Sequence, residues 1–345
     1  MSTELFQTQT IAGLVTNLPR KPGFLSSFFS SKPQNIHPTD IVELHDKNDL
    51  SIAAPYCQMS APATPFAFQG YSSSMVKIPH MRLSDNITAI DAMNRLAGEG
   101  INSALSPQQR AGILLMEKME NLFGAIDISI EAQAAQVFTT GKVVIKGADI
   151  DAEVDYQRNP LHNFTLTGAA LWNTPTGTPS VQFDLADQLI RDNGRKTVTD
   201  VILGSGAFAA LVSNVQTLNF LDNRRLDPGI LALRPELYDG ATYRGNLYGL
   251  NIWVYSNTYS TISPTGVVSP TRTAYIPNDS AVFFSSAAIN EMHYAPVMEL
   301  EGANAVARFA KTFVVQDPSS RVLVASSRPL AVTRNPNAFV TIKVI

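Results

Sequence analysis

The clearest pattern in the sequence is a run of apolar residues at helical spacing between Ser106 and Gly141. The apolar positions recur at steps of three and four: Leu115, Met119, Leu122, Ile126, Ile130, Ala134 and Val137. Ser106 and Gln109 match a capping box and Pro107 suits the first helical position. Gly141 is a typical helix stop. The pattern predicts one helix over residues 107–140, about 50 Å long at 1.5 Å per residue, which exceeds the span of a typical small domain.

After this helix the hydrophobic period changes from helical to alternating. A strand begins at Val143 and Ile145, and acidic and apolar residues then alternate as far as Tyr156. Period two places the acids on one face of the strand: Asp149, Asp151, Glu153 and Asp155. We therefore expect a half-exposed strand that follows a turn at Gly147.

Mixed helical and alternating patterns fill the rest of the chain. The region from 164 to 300 predicts a compact α+β unit with helices at 183–190, closed by Gly194, and at 207–221, and strands at 198–203, 250–255 and 281–284. The tail has β-like runs at 313–315, 322–325 and 339–344. The fold class predicted for the whole chain is α+β.

The first 85 residues lack any helical period and contain frequent prolines, which disfavour both helix and central strand. Residues 1–50 are predicted to form an extended N-terminal arm, and residues 51–85 a long two-stranded excursion with strands near 67–71 and 74–78. Both segments carry large apolar side chains, which we predict to be inter-subunit contacts: Phe24, Leu25, Phe28, Phe29, Phe66, Phe68 and Tyr71. The alternative is that these side chains pack on their own subunit.

Composition and charge narrow the functional classes. Lys and Arg total 26 against 29 Asp and Glu, a formal net charge of −3, and this balance cannot support tight DNA binding through counterion release. Cys57 is the only cysteine, which excludes an intramolecular disulfide and a cysteine-based zinc site. Without an N-terminal signal pattern or an apolar run of about 18 residues, we expect a soluble chain that is intracellular at synthesis.

Candidate chemistry is sparse. Residues Gly204 to Ala209 loosely match a dinucleotide-binding turn, but no acid-ending strand follows at the required distance, so a tight strand-to-helix turn is the preferred interpretation. A calcium loop starting at Asp149 would need Gly and Glu where Val154 and Pro160 stand, so the acids are interpreted as a solvated strand face. The five histidines show no metal-ligand spacing. We predict no catalytic residue, cofactor or metal.

In its order of arm, long loop, long helix, acidic-faced strand, α+β unit and returning strands, the chain resembles the major capsid proteins of tailed bacteriophages. Within these it is most similar to the lambda-like major capsid protein E family. Short motifs along nearly the whole chain carry the resemblance: Pro107 to Gly141, Leu221-Asp222-Asn223-Arg224-Arg225, Tyr243-Arg244-Gly245, Trp253-Val254-Tyr255-Ser256, Tyr275-Ile276-Pro277-Asn278-Asp279 and Asn335-Pro336-Asn337-Ala338-Phe339-Val340.

The resemblance implies the Hong Kong 97 capsid fold. Its parts here would be an N-terminal arm (1–50), an extended E-loop (51–85), a P-domain with a spine helix (86–163, helix 107–140), an A-domain (164–300) and C-terminal strands that return to the P-domain (301–345). The arm is unusually rich in Pro and Ser, so its contacts cannot be transferred from relatives.

The resemblance also implies a function and partners. Hexamers and pentamers of the chain would form an icosahedral virion shell around double-stranded DNA, contacted non-specifically, after assembly and maturation of a procapsid in the host cytoplasm. Scaffolding and portal proteins, and in some relatives a decoration protein, would be partners; no membrane is implied. Two alternatives stay open: an encapsulin-like compartment shell, and a nucleotide-dependent enzyme that uses Gly204 and Gly206.

Overall fold

The computed structural model of the chain describes most of the sequence. The described residues are 11, 14, 15, 18, 23–46, 56, 59, 62, 72–96, 99, 105–147, 150–222, 240–263, 266–299, 305–317 and 319–345.

Five α-helices lie in the described part: α1 Ala89–Met93, α2 Pro107–Thr140, α3 Pro179–Leu189, α4 Ser205–Ser213 and α5 Val215–Asp222. Short 3-10 turns occupy Ser26–Phe28, Pro33–Asn35, Pro160–His162, Gly168–Ala170 and Pro336–Ala338. The same residues contain seventeen strands: β1 Ile41–Asp46, β2 Ser72–Lys77, β3 Met81–Thr88, β4 Lys142–Lys146, β5 Asp151–Asp155, β6 Asn163–Thr165, β7 Asp200–Leu203, β8 Ala241–Leu247, β9 Leu250–Tyr255, β10 Thr258–Ile262, β11 Val268–Ala274, β12 Ser280–Phe284, β13 Asn290–Tyr294, β14 Phe309–Val315, β15 Ser320–Ser327, β16 Pro329–Thr333 and β17 Phe339–Lys343. The α+β class is confirmed.

Helix α2 has the bounds that the sequence predicts. The Ser106 hydroxyl accepts from the backbone N–H of Gln109, whose side chain accepts from the Ser106 N–H. Gly141 ends the helix in the left-handed conformation, with φ 74°. The buried Arg158 guanidinium binds the carbonyl oxygens of Val137, Phe138 and Thr139, so the last turn has partners for groups that a helix end leaves unpaired.

A six-stranded mixed sheet forms the centre of the second half of the chain, in the order β6-β17-β12-β7-β9-β8. Strands β7 and β12 are buried along their whole length, because α3 and α4 cover one face. Trp172 and Phe183 stack in this core, and Phe283 meets Phe183 edge-on at 5.0 Å. The other face packs on the C-terminal half of α2 through Phe138, Phe284 and Phe339.

Smaller sheets surround α2. The three-stranded sheet β14-β15-β3 packs against its N-terminal half through Leu115, Phe123 and Leu323. Strands β13 and β16 pair with each other and are fully buried. The hairpin β4–β5 confirms the predicted change of period, with the backbone N–H of Gly147 bonded to the Ile150 carbonyl. Of the four predicted acids, Asp151, Glu153 and Asp155 are exposed on β5, and Asp149 lies outside the described residues.

Strands β1 and β2 pair with each other in an antiparallel two-stranded sheet, which we call the ribbon. The predicted strand at 74–78 corresponds to β2, but its partner is β1, which the sequence pattern had placed within the arm. The predicted strand at 67–71 lies outside the described residues.

Two helical predictions were wrong in detail. The helix predicted at 207–221 is two helices, because Asn214 turns extended, with ψ 132°, and its side chain binds the carbonyls of Trp172 and Gly177. Helix α3 starts earlier than predicted and leads into a π-turn at Ile190–Gly194, with Arg195 as the left-handed cap at φ 50°. Gly194 is needed for close approach instead: a Cβ there would lie 2.5 Å from the Asn337 carbonyl oxygen.

Candidate functional site

The glycine turn at the start of α4 is filled by the protein's own backbone. The Ala207 N–H, which a bound phosphate would need, donates to the Asn278 carbonyl at 2.8 Å. A Cβ on Gly204 would overlap the Pro277 carbonyl and lie 2.7 Å from the Asn278 Cα, and one on Gly206 would lie 2.9 Å from the Asn278 oxygen. Gly204 and Gly206 therefore allow the turn at 277–278 to approach the start of α4, which agrees with the predicted strand-to-helix turn. The turn fills the space that a nucleotide would need.

Other chemistry-bearing side chains have structural partners. His162 is fully buried, with Nδ1 2.9 Å from the Phe339 carbonyl and Nε2 3.2 Å from the Asn193 amide nitrogen. Lys142 sits between Glu153 and Asp155 at 2.7 and 2.9 Å, so the acidic face of β5 is partly neutralised. Within the described ranges, no group of three His, Cys, Asp or Glu residues is arranged to hold a metal ion. Cys57 lies outside them.

The described part of the arm from 23 to 40, which we call the anchored segment, packs deep into its own subunit. Phe24 and Leu25 are 1% and 0% exposed and Phe29 is 6% exposed. The Phe24 ring lies 5.2 Å from Trp253 and 5.3 Å from Tyr255 of β9. The half-buried Phe28 meets Phe284 of β12 edge-on at 5.0 Å and lies 5.8 Å from Phe138 of α2. The segment is thus an aromatic wedge between the long helix and the central sheet.

A buried carboxylate on α2 ties down the start of this segment. Glu131 is 3% exposed, and its two oxygens accept from the backbone N–H groups of Leu25 and Ser26 at 2.6 and 2.8 Å. The Tyr255 hydroxyl donates to the same carboxylate at 3.1 Å, and burial, then the charge of Glu131, raise the pKa of Tyr255, which keeps it a donor. A Cβ on Gly23 would overlap this carboxylate. The side chain therefore binds the N-terminus of the Ser26–Phe28 turn.

Farther along, the anchored segment runs parallel to β13. Isolated bridges join Ser30 to Glu291 and Ile36 to Tyr294. The Ser30 N–H donates to the Asn290 carbonyl at 2.9 Å, the Met292 N–H donates to Ser30 at 3.0 Å, and the His37 N–H donates to Tyr294 at 2.9 Å. The segment therefore adds a partial third strand to the β13–β16 pair.

Arg328, between β15 and β16, holds the base of the ribbon. Its buried guanidinium donates to the carbonyl of Ile78, which follows β2, and to the Pro296 carbonyl at 2.9 Å. It also forms an ion pair with Asp40, which precedes β1. Burial opposes ionisation of Asp40, but Arg328 and then Lys77 outweigh it and lower the pKa of this carboxyl. One cation thus connects both strands of the ribbon, at their base, to the body of the subunit.

These positions bear on the predicted contact residues. In this conformation Phe24, Leu25 and Phe29 are core residues of their own chain, which is the packing that the sequence analysis left open as the alternative. Phe66, Phe68 and Tyr71 lie outside the described residues. A role of these side chains between subunits stays a prediction. The sequence analysis missed Glu131 and Arg328, the two charged residues that fix the arm and the ribbon.

Comparison with known proteins agrees with this arrangement. A model of the family described as phage major capsid protein E matches residues 7–344. The major capsid protein of Enterobacteria phage P21 is 22% identical over 355 aligned residues, 99% of each chain, and that of Escherichia phage N15 is 24% identical over 285 residues, 80% of each. The crystal structure of a prophage capsid protein from Escherichia coli CFT073 superposes with a TM-score of 0.73 at 20% identity, over 99% of both chains.

The comparisons cover the arm, the ribbon, the long helix and the sheets together, because the family match spans nearly the whole chain. None of the helices in the described ranges has the length and apolar character to cross a membrane. The chain belongs to the phage major capsid protein E family, and it is a structural protein of the phage virion and not an enzyme.

Proposed function

We propose that this capsid protein assembles as hexamers and pentamers into an icosahedral shell that encloses double-stranded DNA, and that it does so in the host cytoplasm. The observation that carries the proposal is the ribbon. Strands β1 and β2 have only each other as sheet partners among the described residues, and Arg328 holds their base. A lone two-stranded ribbon is marginally stable in water, so a surface on a second copy is the natural place for residues 47–71 between its strands.

The subdomains of the Hong Kong 97 fold supply the frame for this proposal. The proposed parts are the arm (1–50), the E-loop (51–85), the P-domain (86–163), the A-domain (164–300) and the C-terminal strands (301–345); the ribbon joins the first two, since β1 lies in the arm and β2 in the E-loop. Strand β15 pairs with β3, and the sheet that they share packs against α2, the proposed spine helix. Strand β17 instead joins the central sheet of the A-domain, so the C-terminal strands connect both subdomains.

In such a shell, individually weak contacts between subunits are sufficient for a stable particle. A closed shell repeats the same patches by symmetry, and each subunit makes several contacts at once, so modest single affinities add to a stable particle. Scaffolding and portal proteins, and a decoration protein on the outside, are the proposed protein partners. With a formal net charge of −3, contact with the packaged DNA would be weak and non-specific.

The test changes the loop of the ribbon and leaves the described core intact. In the double variant Phe66→Ser and Phe68→Ser, we expect wild-type thermal stability but at least tenfold fewer closed shells by negative-stain electron microscopy, because two apolar anchors are lost. Tyr56→Ser, an aromatic of the same loop outside the predicted contacts and fully exposed on this chain, is the control and should assemble normally.

Normal shells from the double variant would refute the role of the loop as an inter-subunit contact. Deleting residues 1–50 is a poorer test of assembly, because it also removes Phe24, Leu25 and Val42 from the core of the subunit.

A further inference from the structure

The anchored segment meets the body of the subunit at a pair of histidines. His37 of the arm and His293 of β13 stack nearly parallel, with ring centroids 5.1 Å apart and an angle of 10°. The His37 Nε2 and His293 Nδ1 atoms are 2.8 Å apart, which is hydrogen-bond distance. The His37 backbone N–H makes one of the three backbone hydrogen bonds named above between the segment and β13. The ring pair therefore lies at the junction of arm and body.

The geometry limits how many protons this pair can carry. One of the two facing nitrogens must hold a proton and the other must offer a lone pair. A first added proton can sit on an outer nitrogen of either ring, but a second one places two N–H groups against each other across 2.8 Å. The doubly charged pair therefore loses its hydrogen bond and gains repulsion between like charges.

The charged groups around the pair give a buried imidazolium little compensation. His293 is 6% exposed, and its Nε2 lies 3.6 Å from the Glu291 Oε2 without a hydrogen-bond partner in the described part of the chain. Glu291 already pairs with Arg334 at 2.7 Å and with Lys32 of the arm at 3.6 Å. Two cations thus already pair with the Glu291 carboxylate, which lies beside the His293 ring.

We propose that the His37–His293 pair is a pH-sensitive latch, which holds residues 30–37 on β13 at neutral pH and releases them as the pH falls below about 6. The latch acts within one subunit and does not depend on the shell assembly proposed above. The latch joins the arm to the body of the same chain, and protonation of the two rings opens it.

The direction of the effect follows from the titration of the two rings. Burial, then the neighbouring His37, lower the pKa of His293 to about 4, and burial lowers the pKa of His37. Once the segment is released, the His37 ring leaves the burial that lowers its pKa, and His293 loses the neighbouring ring that helps to lower its own pKa. Both rings then take up protons more readily than in the attached state, so attachment weakens as the pH falls below the ordinary histidine pKa near 6.5.

Hydrogen–deuterium exchange on the full chain tests the latch. Protection factors of peptides covering residues 29–38, corrected for intrinsic exchange, should drop at least tenfold from pH 7.5 to pH 5.0, while those of α2 stay constant. In His37→Gln the drop should shrink, and in the double variant with His293→Gln it should vanish. His80→Gln, at a histidine whose charged neighbours are Arg328, Arg82 and Glu299, should behave as wild type.

Equal protection of the segment at both pH values in the wild-type chain would overturn the proposal. An unchanged pH-dependent drop in His37→Gln would do the same. Because His37 is half buried on the segment itself, this single variant decides the question even where the double variant fails to fold.

Discussion

Glu131→Gln should destabilise the subunit by about 3 kcal/mol and loosen the start of the anchored segment. The carboxylate now binds the N–H groups of Leu25 and Ser26 with one oxygen each, at 2.6 and 2.8 Å, so the glutamine keeps one of these bonds and turns an NH2 group toward the other N–H. Because Glu131 is 3% exposed, water cannot replace the lost bonds. Urea unfolding measures the loss, and amide exchange of residues 24–29 measures the release.

Glu117→Gln makes the same chemical change on an exposed position of α2 and is the matched control. We expect it to change stability by less than about 0.5 kcal/mol. Equal unfolding curves for the two variants would show that the buried carboxylate does not hold the arm.

Arg328→Met should cost a similar amount, about 3 kcal/mol, and free the base of the ribbon. The change removes the donor to the Ile78 and Pro296 carbonyls and leaves Asp40 without its buried partner. Since these groups flank β1 and β2, the amides of both strands should exchange faster than those of the central sheet. The unfolding midpoint and the exchange of peptides 41–46 and 72–77 are the measurements.

Arg82→Met on the neighbouring strand β3 serves as the control. The Arg82 side chain is 49% exposed and its guanidinium pairs with Glu299 at 3.4 Å, so the loss of this pair should cost less than about 1 kcal/mol of stability. Ribbon amides that stay fully protected in Arg328→Met would contradict the assignment of Arg328 as the clamp.

Local signals explain what the sequence could predict. Helix α2 matched its predicted bounds because its capping box, proline start and glycine stop act within one turn of each end. The hairpin β4–β5 was predicted because apolar and polar residues alternate on both sides of the turn at Gly147. The glycine turn before α4 was also interpreted correctly, because the motif lacked the acid-ending strand that a dinucleotide site needs.

The missed features depend on contacts between residues distant in sequence. Strand β13 has no alternation because both its faces are buried, and its Glu291 pairs with Lys32 of the arm and with Arg334, which follows β16. From the sequence, Ile41–Asp46 cannot be distinguished from the irregular arm around it. It forms a strand because it pairs with β2, which follows after a long loop. The burial of Phe24 likewise depends on β9, more than 200 residues later in the sequence.

One sequence signal could have pointed to the arm anchor. Glu131 is the only charged residue from Ile128 to Thr140, in a stretch rich in alanine and glutamine. A single carboxylate on a helix face otherwise fit for burial indicates a specific partner, since buried charges are rarely left unpaired. The sequence does not show that this partner is the backbone of residues 25 and 26.

Electron cryomicroscopy of the particles formed by the full chain, expressed alone and with its flanking genes, tests the central claim most directly. We predict closed icosahedral shells of hexamers and pentamers, in which the anchored segment packs on its own subunit and the loop at 47–71 contacts a neighbour. A chain that stays monomeric in both expressions, or shells in which that loop touches only its own subunit, would contradict the account.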